Sequence, residues 1–97
     1  MPTKTEEIIK EVSQELQVTQ DQVLQQSLKA FLEHRLHTVE AEVFEIRGKY
    51  NISSVEAMES RYREGSLEEA GSWRDLQRLD HLEYQRDRLR ELLRKLR

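Results

Sequence analysis

Cysteine is absent from the 97 residues, and the chain has one proline, three glycines and six aromatic residues. Without cysteine there is no disulfide and no thiolate metal site, and nothing demands an oxidising compartment. No apolar run approaches the roughly 20 residues needed to span a bilayer. The opening residues Met1-Pro2-Thr3-Lys4-Thr5-Glu6-Glu7 lack a basic region followed by an apolar core. No signal peptide and no membrane association are therefore expected, and the expected compartment is the cytoplasm. The glycines stand singly, so there is no phosphate-cradling loop. No serine or threonine sits in a nucleophile context, and the carboxylates are dispersed along helical faces among Lys and Arg. The reading is a non-enzyme with no cofactor and no metal.

What the chain does have is charge and helical periodicity. Charged residues make up 36% and hydrophobic ones another 36%, where a compact domain has nearer half apolar. Oligomerisation is a natural supplement for a chain this small. The net charge of −3 is unevenly spread: Ser72 to Arg97 holds eight basic and five acidic residues, and Met1 to Gly71 eight and fourteen. That split suits head-to-tail association or an anionic partner at the C-terminal end.

Capping boxes mark the helix starts, each a Ser or Thr with Glu or Gln three residues on. Thr3/Glu6, Thr19/Gln22, Ser53/Glu56 and Ser66/Glu69 fit, and Ser72/Asp75 is a looser version. They predict one helical domain over 1–97. A first helix covers 4–18, its periodic part running from Lys4 to Leu16 with Ile8, Ile9, Val12 and Leu16 on one face. A long second helix covers 20–48, with Gly48 as its cap. Its apolar stripe includes Leu24, Leu28, Phe31, Leu32, Leu36, Val39, Val43 and Phe44, which are expected to form core and dimer seam, Phe31 and Phe44 deepest. A third helix covers 54–64, with Val55, Met58 and Tyr62 on one face and Gly65 ending it. Residues 66–71 read as a polar connector. A last helix covers 73–97, where Leu82, Leu89 and Leu96 fall seven apart and Gln85 and Arg86 interrupt the seam. No strand or hairpin-turn signal competes.

Three other patterns are weaker. His34 and His37 lie three apart, with Glu40 a turn further, but helical zinc motifs use i, i+4 and structural sites take about four ligands, so these read as polar-face histidines. His81 reads as a surface or interface residue. The basic run Arg86 to Arg97 could neutralise phosphates. Cations are, however, at home near a helix C-terminus, and arginine stems cover apolar surface. Val12, Leu16, Val18 and Val23 have the spacing of a helix-turn-helix, yet the second helix offers glutamines with only Lys29 nearby for phosphates. Nucleic acid is a possible partner that these residues do not favour.

The segment Val43-Phe44-Glu45-Ile46-Arg47-Gly48-Lys49-Tyr50-Asn51-Ile52-Ser53-Ser54-Val55-Glu56, followed by Tyr62-Arg63-Glu64-Gly65, Trp73-Arg74-Asp75 and Leu79-Asp80-His81-Leu82-Glu83-Tyr84, resembles small prokaryotic antitoxins of toxin–antitoxin systems. Asn51 stands where related sequences tend to carry Gly, and asparagine also tolerates a left-handed conformation. The resemblance covers about the last 55 residues. It implies a protein that neutralises a cognate toxin through amphipathic helices, with autoregulatory DNA binding as an accompanying role.

The fold expected is all-α, an elongated helical hairpin or bundle with a long central helix, paired as a coiled-coil-like homodimer. Aromatic and arginine residues dominate interface hot spots, so the last helix is expected to meet the partner. Trp73, Leu76, Leu79, Leu82, Tyr84, Arg86, Leu89 and Leu93 are its contact residues. The alternatives are a homo-oligomeric coiled-coil scaffold and a small helix-turn-helix DNA-binding regulator.

Overall fold

The structure, a computed structural model, describes residues 2–96. It is all-α: helix α1 (Lys4–Leu16), α2 (Gln20–Tyr50), α3 (Val55–Glu64) and α4 (Glu69–Lys95). The molecule is elongated, 62 × 25 × 19 Å along its principal axes, because the 31 residues of α2 span about 46 Å at 1.5 Å each. No helix among the described residues is long and apolar enough to cross a membrane.

The helix starts follow local chemistry. Thr3 accepts from the Glu6 amide, and Thr19 and Gln22 exchange side-chain-to-backbone bonds as a complete capping box. At α3 the cap is Ser54, accepting from the Ala57 amide, and not the expected Ser53. Three helices close alike, each through one left-handed residue: Gln17 (φ 55°), Asn51 (φ 52°) and Gly65 (φ 76°). In each case that residue and the next donate back to carbonyls of the last turn.

Two boundaries differ from expectation. Gly48 does not end α2, which runs on to Tyr50 before Asn51 turns the chain. The two extra residues are held because the Arg61 guanidinium donates to the Tyr50 and Asn51 carbonyls, and the Tyr50 hydroxyl donates to Asp75. A cation there also suits the helix dipole. α4 starts at Glu69, four residues ahead of Trp73, so Ser72 is no cap. It is buried inside the helix, donating to the Glu68 carbonyl and paired with the Tyr62 hydroxyl at 2.6 Å. The expected end of that helix at Arg97 lies outside the described residues.

α2 and α4 form an antiparallel hairpin inside one chain. Gln25 donates to the Leu96 carbonyl near one end, and Lys49 pairs with Asp75 near the other. The α2 seam is Leu32, Leu36, Val39, Val43, Ile46 and Tyr50, in alternating steps of four and three. The α4 seam is Leu76, Leu79, Leu82, Arg86, Leu89, Leu93 and Leu96, all buried or half-buried. The enclosed core sits at the α3 end: Val39, Val43, Ile52, Val55, Met58, Leu76, Leu79 and Leu82. α1 folds against the N-terminal part of α2 and buries none of its residues.

Candidate interaction surfaces

The residues expected to meet a partner divide into two groups. Leu76, Leu79 and Leu82 are enclosed in the chain's own core, and Leu89 and Leu93 are half-buried along the hairpin. The three enclosed leucines are taken up by the chain's own core and are not available to a partner. Trp73 and Tyr84 stand exposed, and the Arg86 side chain is 17% exposed. The expected dimer seam divides as well. Val39 and Val43 belong to the intrachain core, Leu32 and Leu36 are half-buried on the α2 seam, and Leu24, Leu28, Phe31 and Phe44 are exposed.

Phe31 and Phe44, expected deepest, are 62% and 79% exposed. The reason is helical phase. The seam repeats every 3.5 residues through Leu32, Val39, Val43 and Ile46, and both phenylalanines fall beside that repeat.

Phe44 borders a cleft between α2 and α4, lined also by Glu40, Val43, Arg47, Arg86 and Arg90. Arg47 pairs with Glu83 at 3.2 Å, Arg90 with Glu40 at 3.4 Å, and Arg86 with Asp87 at 3.1 Å. Each guanidinium thus meets one carboxylate, two of the pairs crossing from α2 to α4 and the third, Arg86 with Asp87, running along α4. The buried Arg47 Nε has no acceptor, an unmet donor of the kind that a bound carboxylate can satisfy. An exposed aromatic ring among arginines is hot-spot composition. Sequence reasoning placed Arg86 in the interface and missed Arg47, Arg90 and Phe44 as its neighbours, because that grouping depends on the register of α2 against α4.

Away from the cleft, Asp75 accepts from Lys49 Nζ at 2.8 Å and from the Tyr50 hydroxyl. Those two hydrogen bonds, Lys49 first, hold the Asp75 carboxyl below its ordinary range. The bond to Asp75 holds both the Lys49 ammonium and the Tyr50 hydroxyl above theirs. The signs fix a plateau. Asp75 contributes stability above its unfolded pKa, lost as pH falls through the lower folded value. Lys49 and Tyr50 contribute below their unfolded values, lost as pH rises through the higher folded ones. Thermal midpoints should therefore fall on both flanks of a plateau between about pH 5 and pH 9. Asp75→Asn should flatten both flanks and bring the Tyr50 titration, read by ultraviolet difference absorbance, back toward that of free tyrosine. An unmoved Tyr50 titration would refute the coupling.

His34 and His37 are exposed, and Glu40 is engaged by Arg90. Among the described residues no three His, Asp or Glu side chains are grouped to hold a metal ion.

Fold and surface together define an all-α helical-hairpin protein with a sealed core at one end and exposed apolar side chains elsewhere. The whole chain, residues 1–97, matches the Uncharacterized protein MJ0235 family, and it belongs to that family. No curated protein and no solved structure matches it.

Proposed function

We propose that this chain is a non-catalytic, cytoplasmic protein-binding module that takes its partner at the cleft of Phe44, Arg47, Arg86 and Arg90. One observation carries the reading: among the described residues Phe44 has the largest exposed fraction of the big apolar side chains, and it borders a cleft with three arginines. The partner suited to that chemistry presents an apolar anchor for the ring and a carboxylate for the guanidiniums, as a helix laid into a groove does. The antitoxin resemblance gives that partner a class, a toxin; Trp73 and Tyr84 are exposed elsewhere on α4.

The test is co-expression with the polypeptide encoded beside it. A stoichiometric complex is expected. Phe44→Ala should weaken it at least about thirtyfold, the lower bound of a hot-spot truncation, with helical content unchanged because the Phe44 side chain is exposed. Binding that is indifferent to Phe44→Ala and to Arg86→Glu would discard the cleft as the partner site.

A further inference from the structure

The N-terminal half of α2 carries a second exposed surface, distinct from the cleft. α1 covers one side of it, around an apolar depression lined by Val12, Leu16, Val18, Val23, Gln26, Ser27 and Ala30. The end of α4 lies along another side, where Asp21, Leu24, Gln25, Leu28, Lys95 and Leu96 line a shallow depression. Asp21, Leu24, Leu28, Phe31 and Arg35 follow one another in steps of three, four, three and four, so they share one stripe of the helix. All five are exposed, and neither Asp21 nor Arg35 makes an ion pair among the described residues.

The order of chemistry along this stripe is acidic, apolar, apolar, apolar, basic. Reversing its direction exchanges the two charges and leaves the apolar centre in place. A pattern with that property fits a copy of itself laid antiparallel, as an isologous two-fold contact requires. We propose that a second copy of this chain covers the stripe, antiparallel and centred on Leu28. Leu28 then meets Leu28 of the other copy, Leu24 meets Phe31, and Asp21 meets Arg35 at both ends. A parallel arrangement instead stacks Asp21 on Asp21 and Arg35 on Arg35, and like charges in contact oppose it. Within one chain Asp21 and Arg35 are 14 residues apart, about 21 Å along the helix. That is well beyond the screening length of about 8 Å at physiological salt, so they do not couple internally.

The experiment uses the isolated full chain. Light scattering after gel filtration should give twice the 11.6 kDa chain mass. Phe31→Glu should return it to one chain mass with its helical circular dichroism retained. Asp21→Arg and Arg35→Asp should each raise the dimer dissociation constant about tenfold or more, in the range of close interfacial charge pairs. The double variant should recover most of the loss. Because the chain has no cysteine of its own, single cysteines report direction without background. Leu28→Cys should form a disulfide with itself, and Leu24→Cys mixed with Phe31→Cys should cross-link as a pair. Leu24→Cys alone should cross-link poorly, since its Cα atoms lie beyond the roughly 7 Å a disulfide spans. A monomeric mass at high concentration overturns the proposal, and so does efficient self-linking of both Leu24→Cys and Phe31→Cys, the parallel pattern. Neither result touches the Phe44 cleft, whose partner is read separately in the co-expression assay.

Discussion

Leu79→Ala should remove about 3–5 kcal/mol of stability, a large share of what a chain of this size holds. Leu79 has no exposed surface and lies in the cluster with Val39, Val43, Met58, Leu76 and Leu82. The loss combines the transfer free energy of the removed carbons with a cavity that the two helices can only partly close. At roughly 4–8 °C per kcal/mol for a domain of this length, the thermal midpoint should drop by at least about 12 °C. The melt is followed by far-ultraviolet circular dichroism at one fixed protein concentration, because self-association adds to apparent stability. Leu92→Ala is the control: that side chain is exposed on α4, and its loss should cost under about 1 kcal/mol. Equal effects at the two positions would mean that the core is not concentrated at the α3 end.

The second large effect has the opposite sign. Arg86 occupies a seam position between Leu82 and Leu89, and its guanidinium pairs with the adjacent Asp87. Arg86→Leu extends the leucine row by one position and should raise stability by about 1–2 kcal/mol, since well-packed apolar residues often outperform a covered charge. The denaturant midpoint should rise with an unchanged slope. The same substitution takes one guanidinium from the Phe44 cleft, so affinity for an acidic partner should fall as stability rises. A loss of stability would show that the arginine stem and its ion pair pack better than leucine can. A gain of stability with full affinity would remove Arg86 from the binding surface.

The all-α class, the long central helix and the caps at Thr3, Thr19 and Gly65 were legible in the sequence, because capping chemistry and 3.6-residue periodicity are local. The hairpin was less so. Amphipathic rows on α2 and α4 can be covered by another chain or by each other, and the pattern of leucines is the same in both cases. Leu76, Leu79 and Leu82 were therefore expected outside and lie inside. Ser72 misled for a related reason. A serine ahead of a hydrophobic run reads as a cap, whereas bonds to the Glu68 carbonyl and the Tyr62 hydroxyl make its burial within a helix tolerable. Phe44 was hidden by its neighbours, since one residue along a helix separates the buried Val43 from an exposed ring.

The placement of the enclosed side chains gives this hairpin an uneven grip. One end of α2 is clamped by α3 and α4 together, and the other is flanked by a helix with no buried residue of its own. Amide protons should exchange slowly near Val43 and rapidly near Leu24, although both lie on one continuous helix, because local opening follows the density of buried contacts. Association at the loose tip would then act as a fastening step: the clamped end holds its fold unaided, and the turns near Leu24 open less often once another chain covers them.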